Sequence, residues 1–230
     1  WATKGLEPES AKLPHQGAAE VLGSDRCLGV LSGPSFAGEV GQGLPTAVTI
    51  ASTDAVFAAD MAAAFHDGTF RVYTSSDLTS VGIGGAVKNV LAIAVGISDG
   101  LGFGANARAL LIARGLSEMV RLGEPLGGSR ETFMGMAGLG DLLLTCTDDQ
   151  SRNRRMGLAL AAGKGVAGAQ EEIGQVVEGV RVAREVHRIA QREGLELPIC
   201  EQAYQVLHEG LTPRQAVRVL TERPSRTEIE

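Results

Sequence analysis

Two hydrophobic rhythms divide this chain. Over the first third, short apolar runs rich in β-branched residues fall at 27–31, 46–51 and 70–73 and read as strands. Helical patterns at 35–41 and 54–65 lie between them, and that alternation predicts βαβ units. The opening Trp1-Ala2-Thr3-Lys4-Gly5 reads as the end of another strand entered midway. With no initiator methionine in front of it, the sequence is expected to be the C-terminal part of a longer protein. After residue 77 the period-two signal vanishes and helical periodicity runs to the end. Helices are predicted at 78–97, 106–122, 131–144, 152–162, 177–193, 200–208 and 212–220, with glycines marking the breaks. Thr212-Pro213 is a sound start, a capping hydroxyl followed by proline in the first turn. The expected division is an α/β segment at 1–77, an all-helical domain at 78–222 and a tail at 223–230.

Composition narrows the classes. The chain has 230 residues, 44% of them hydrophobic, enough for a packed core in one large or two ordinary domains. A net charge of −6 argues against a general nucleic-acid surface. Cys27, Cys146 and Cys200 are odd in number and lack CxxC spacing, which suits reduced thiols in a cytoplasmic protein. His15, His66, His187 and His208 are scattered, so no metal site is predicted. The apolar stretch 81–95 is interrupted by glycines, Lys88 and Asn89; it reads as a buried core helix, and no membrane span or signal peptide is predicted.

Three segments carry chemistry. In Gly84-Gly85-Ala86-Val87-Lys88-Asn89-Val90 a lysine sits inside an apolar helix, with Gly84 and Gly85 on its face at i−4 and i−3. Burying an ammonium costs several kcal/mol unless it is paired or neutral. The glycines would leave a groove for a small molecule against the amine; the alternative is a lysine that snorkels to the surface. In Met134-Gly135-Met136-Ala137-Gly138-Leu139-Gly140-Asp141-Leu142, Asp141 is the only charge in an apolar run, and either caps a helix or meets a ligand or a lysine. Beside Lys88 it would favour the ammonium while burial favours the amine.

The third segment, Thr145-Cys146-Thr147-Asp148-Asp149-Gln150-Ser151-Arg152-Asn153-Arg154-Arg155, opens a helix with three arginines, against the macrodipole. That placement suits a bound anion such as phosphate, the alternative being a solvated face paired with Asp148 and Asp149. Lys4, the Ser32-Gly33-Pro34-Ser35-Phe36-Ala37 turn and the Gly174-Gln175-Val176-Val177-Glu178-Gly179 turn are weaker signals, each common in α/β proteins.

Together WATKGLE, SGPSFAGE, GGAVKNVLAIAVGISDGLGFGANARALLIARGL, FMGMAGLGDLLLTCTDDQSRNRRMG and IGQVVEGV resemble the bacterial NAD(P)-dependent glycerol-3-phosphate dehydrogenases, in unbroken order from Trp1 to about Glu222. The resemblance implies an α/β remnant of a Rossmann-type dinucleotide-binding domain followed by an all-α substrate domain. It implies reversible hydride transfer between sn-glycerol 3-phosphate and dihydroxyacetone phosphate with NAD or NADP, feeding phospholipid synthesis. It makes Lys88 the proton acceptor, with Lys4 touching substrate and cofactor and Asn89 in the polar network. Gly33 and Ser35 would help bind substrate and Ala37 would pack on the cofactor. Asp141 and Thr145 would orient the lysines and the reacting hydroxyl. Ser151, Arg152 and Asn153 would hold the phosphate, Arg152 also reaching the cofactor, with Val176 and Glu178 as further cofactor contacts.

The chain departs from that family in one respect. No G-x-G-x-x-G loop stands in a strand–turn–helix context, so the main pyrophosphate cradle is missing and the 230 residues alone are expected to be inactive. Two rivals remain: a related two-domain hydroxy-acid dehydrogenase, and a non-catalytic helical module that binds a phosphorylated partner. NAD against NADP stays open, and a homodimer through the helical domain is plausible.

Overall fold

The computed structural model describes residues 1–23 and 25–224; residues 225–230 of the expected tail lie outside the described residues. A small sheet stands first. Strands β1 (Gly29–Ser32), β2 (Thr46–Ser52) and β3 (Phe70–Ser75) lie in the order β1-β2-β3. Helix α1 (Pro14–Leu22) precedes them, α2 (Ala37–Gly41) joins β1 to β2, and α3 (Ala55–Phe65) joins β2 to β3. Asp54 caps α3 by accepting the Phe57 N–H. β2 and β3 run parallel, as a βαβ unit requires, with Thr49 opposite Tyr73.

β1 and β2 are antiparallel, which corrects the expected alternation. The connection is the reason. The short α2 sits within the turn between the two strands, so β2 runs straight back along β1 without a full crossover helix. Trp1 stands beside β1, its amino terminus donating to Gly29 O and its carbonyl accepting from Leu31 N.

The remainder is helical. Helix α4 (Leu78–Gly100), capped by Asp77, is apolar on every side and most of its residues are buried, so it forms the axis of the core. It is long and apolar enough to cross a membrane by length and composition, beyond what the sequence pattern predicts, but its faces are buried by protein. Around it pack α5 (Gly104–Gly123), α7 (Asp141–Thr147), α8 (Arg152–Ala161), α10 (Glu178–Glu193) and α11 (Pro198–His208). Helix α12 (Pro213–Thr221) starts with the expected Thr212 cap, completed by Gln215. Leu6, Ala11 and Leu13 from the N-terminal segment also join this core.

Two short helices escape the sequence pattern. α1 buries none of its residues, and α9 (Val166–Ile173) buries Ala169 with Val166 and Ile173 packed on the core, a stripe of one residue per turn that is short to read. A third difference matters more. The helix expected over 131–144 is three pieces: α6 (Arg130–Phe133), a π-helical turn at Met136–Gly140, and α7. Gly135 is extended, and a Cβ at Gly138 would strike the carbonyl of Phe133, so the chain can fold back on itself there.

α4 and α8 touch backbone to backbone. A Cβ on Gly157 would overlap Ile93 O, and one on Gly96 would overlap Arg154 O. Gly157→Ala should therefore lower the unfolding free energy in denaturant by about 3 kcal/mol, an overpacking cost. Gly168→Ala in α9, where a Cβ meets nothing, should be neutral or raise it by up to about 1 kcal/mol. Equal responses would show that the close crossing has no energetic weight.

Candidate active site

Lys88 lies midway along α4 and only 7% of it is exposed. It does not snorkel. Nor do its two glycines leave an open groove, as the sequence suggests. A Cβ at Gly84 would meet Ala137 O at 2.5 Å, and one at Gly85 would meet Ser32 Oγ at 3.0 Å and the Lys4 stem at 3.3 Å. The space is filled by the π-helical turn on one side and by Lys4 on the other. That close approach delivers Asp141, the first residue of α7, to the amine. Such a turn re-aims one side chain without ending the helix that follows.

Asp141 is 1% exposed and bridges two cations. Lys88 Nζ donates to its Oδ1 at 2.5 Å and Lys4 Nζ to its Oδ2 at 2.7 Å. Lys88 also donates to Thr145 Oγ1 at 3.0 Å, whose own hydroxyl donates to Asp141 O at 2.6 Å. Lys4 reaches Gly33 O at 3.3 Å, and Ser35 Oγ donates to the same carbonyl at 3.2 Å. Gly33 has φ +149°, and a Cβ there would press on Val48 Cα at 2.9 Å. Burial lowers the Lys88 pKa to about 8; Asp141 pulls it up and the like charge of Lys4 pushes it down.

Next to this triad runs a second polar row. Asn89 Nδ2 donates to Glu178 Oε2 at 3.3 Å, and Asn89 Oδ1 accepts from Asn153 Nδ2 at 2.9 Å. Asn153 Oδ1 accepts the Gly179 N–H at 2.9 Å, so α4, α8 and the start of α10 meet at one point. Ser151 caps α8 by accepting Arg154 N. Arg152 makes no hydrogen bond or ion pair among the described residues, so its guanidinium is uncommitted. The arginine cluster is thus not one anion site. Arg154 is buried and paired with Asp99 and Asp149, so it is neither an anion ligand nor part of a solvated face: an arginine facing α4 must be neutralised there.

Ala37 opens α2, which a Gln150–Glu39 hydrogen bond of 2.9 Å ties to the turn before α8. Val176 is 67% exposed, two residues before Glu178. Ser32, at the end of β1, reads in sequence only as part of the 32–37 turn, with no role of its own; it is 1% exposed with a hydroxyl that has no partner. It lies against Gly85, beside the Lys4 stem. A serine closing a strand before glycine was the only sequence signal.

An orphaned buried hydroxyl beside a lysine, at the carboxyl end of a strand, is where an α/β fold receives a ligand. With Glu178 opposite, these groups fit the reactive end of a dinucleotide; its pyrophosphate cradle is not among the described residues.

The family profile for the C-terminus of NAD-dependent glycerol-3-phosphate dehydrogenase matches residues 77–218, and the N-terminal profile matches 1–58. The chain belongs to that dehydrogenase family. It is 59% identical over 229 residues to glycerol-3-phosphate dehydrogenase [NAD(P)+] of Aeromonas hydrophila, covering 99% of this chain and 69% of the relative. Against the same enzyme of Nitrosococcus oceani it is 60% identical over 228 residues, covering 99% and 66%. The crystal structure of glycerol-3-phosphate dehydrogenase from Coxiella burnetii superposes with a TM-score of 0.94 at 51% identity, covering 97% of this chain and 68% of that one. The yeast enzyme gives 0.86 at 29% identity, covering 96% and 67%. The chain thus spans about two thirds of these dehydrogenases.

The buried amine predicts a stability signature. Between pH 8 and 10.5 the unfolded chain still holds the Lys88 proton and the folded chain does not, so stability rises with pH across that window. The rise should approach about 3 kcal/mol by urea melts and be missing from Lys88→Met. Identical slopes in the two proteins would contradict a depressed Lys88.

Proposed function

We propose that this chain carries the substrate-binding and proton-transfer half of an enzyme that interconverts sn-glycerol 3-phosphate and dihydroxyacetone phosphate, using NAD or NADP. The observation that carries the reading is Asp141 shared between Lys88 and Lys4 at 2.5 and 2.7 Å. When bound, the nicotinamide supplies the hydride acceptor or donor. The protons belong to this chain. In oxidation, neutral Lys88 Nζ takes the secondary hydroxyl proton; in reduction, its ammonium returns it to the carbonyl oxygen. With a pKa of about 8, roughly a tenth of Lys88 is neutral at pH 7, so one group serves both directions.

Two lysines against one carboxylate leave the triad positive, which stabilises the oxygen as negative charge develops on it. Asp141 and Thr145 hold the amine in place, and Lys4 steadies the other carboxylate oxygen near Gly33 and Ser35. Uncommitted Arg152, with Ser151 and Asn153 at the start of α8, suits the phosphate, and the α8 N-terminus adds its free N–H groups. Ala37, Val176 and Glu178 are assigned to the cofactor side. The division at residue 77, a cytoplasmic setting and a homodimer through the helical domain belong to the same proposal. Phe103 and Leu110, exposed at the start of α5, support the last.

A hydroxy-acid substrate would also suit a free guanidinium, and comparing dihydroxyacetone phosphate with small 2-keto acids separates the two. A non-catalytic module leaves the buried lysine pair without a role. In the full-length protein, Lys88→Ala should lower kcat at least about a thousandfold while cofactor affinity holds; retained turnover would overturn the assignment. Oxidation should rise, and reduction fall, as pH passes about 8. Lys4→Met should move that inflection up, because a like charge is removed, and Asp141→Asn should move it down.

A further inference from the structure

We propose that Arg154, anchored on Asp99, is a positioning residue that sets where the phosphate-binding start of α8 stands relative to Lys88. The inference rests on the α8 turn being the phosphate end, as argued above, and adds a device outside that site. Asp99 follows Lys88 by eleven residues on α4, which at 100° per residue brings it about 20° round the axis, on the same face three turns further along.

Besides the Asn89–Asn153 hydrogen bond, α4 is tied to the α7–α8 unit through charged groups at two points. At the first, Lys88 holds Asp141 and Thr145. At the second, Asp99 Oδ2 accepts from Arg154 Nη2 at 2.8 Å. Arg154 does more than pair with Asp99: its Nε donates to Cys146 O at 3.1 Å, near the end of α7, and its Nη1 to Asp149 in the intervening turn. Its backbone N–H donates to Ser151 Oγ, the cap of the same helix. One side chain thus binds α4, the end of α7, the 148–151 turn and α8 together.

The geometry argues for positioning rather than ligand binding. The Arg154 side chain is 10% exposed and that of Asp99 5%, and the guanidinium edges are already committed to protein oxygens. Arg152, two residues earlier, is the uncommitted one. Asp99 is itself held by Arg108 Nε, 3.0 Å from each carboxylate oxygen, so the anchor keeps its orientation and its charge balance when Arg154 is replaced. Removing Arg154 leaves no orphan anion at Asp99 and loosens the 148–151 turn that leads into Arg152, while Asn153 stays bonded to Asn89 and to the Gly179 N–H. Such a loss acts on the phosphate, and only weakly on proton transfer at Lys88.

The test uses the full-length enzyme with Arg154→Met and Asp99→Asn, reducing dihydroxyacetone phosphate and, separately, phosphate-free dihydroxyacetone. Arg154→Met should raise KM for the phosphorylated ketone about ten- to a hundredfold. It should leave kcat/KM for the phosphate-free ketone within about twofold, and leave the pH inflection near 8 in place. Asp99→Asn, which keeps the Arg154 bonds to Cys146 and Asp149, should show the same pattern at a few-fold. It carries the test if the first variant fails to fold.

Unchanged KM in the folded variants, or equal losses on both ketones, overturns the proposal. Lys88→Ala run in parallel separates the levels. If it is inactive and the Arg154 and Asp99 variants bind normally, only the positioning role falls. If it is active, the underlying reading falls with it.

Discussion

A carboxylate shared by two ammonium groups in a nearly dry interior governs this molecule. Taking Lys88 and Asp141 out of water costs several kcal/mol each unless the partners meet at hydrogen-bonding distance and the remaining polar positions are filled. Each Asp141 oxygen takes one lysine, Thr145 takes a further Lys88 proton, and Gly33 O takes one from Lys4. Burial is what chiefly draws the Lys88 pKa down, against the pull of Asp141, and the like charge of Lys4 adds to the push.

The surrounding fold brings these groups to one place from far apart in the chain. Lys4 and Asp141 are 137 residues apart, and Lys88 and Asp141 are 53 apart. Bare backbone makes the approach possible: Gly84 admits the π-helical turn and Gly85 admits Ser32 and the Lys4 stem. A methyl group at Gly84 would push Asp141 off the amine. The glycines act by being covered, which is why they read as a vacant groove in one dimension and as contact surfaces in three.

What could be read in advance follows from the same physics. The three strands and α4 were legible because periodicity is a local signal, as is the Thr212 cap that opens α12. The interruption of 131–144 was not, because its apolar periodicity continues across Gly135, Gly138 and Gly140, whose weak helix preference permits a break without dictating one. The direction of β1 depended on the length of α2 rather than on β1 itself. Lys88 and Asp141 stood out as charges in apolar runs, whereas their connection to Lys4 came from resemblance, since nothing near Lys4 announces a distant partner. Arg154 was grouped with Arg152 by composition and separated from it by burial, which depends on which face of α8 meets α4.

Chemistry and scaffold are fused at one end of the site and independent at the other. α4 is at once the axis of the core and the carrier of the amine, so substitutions there perturb folding and proton transfer together. The turn at 174–177 carries little of that burden: Val176 projects into solvent, and replacements at such positions usually change stability by no more than about 0.5 kcal/mol. A side chain can therefore change at that turn without loosening the core, whereas a change along α4 alters the folding and the amine at once.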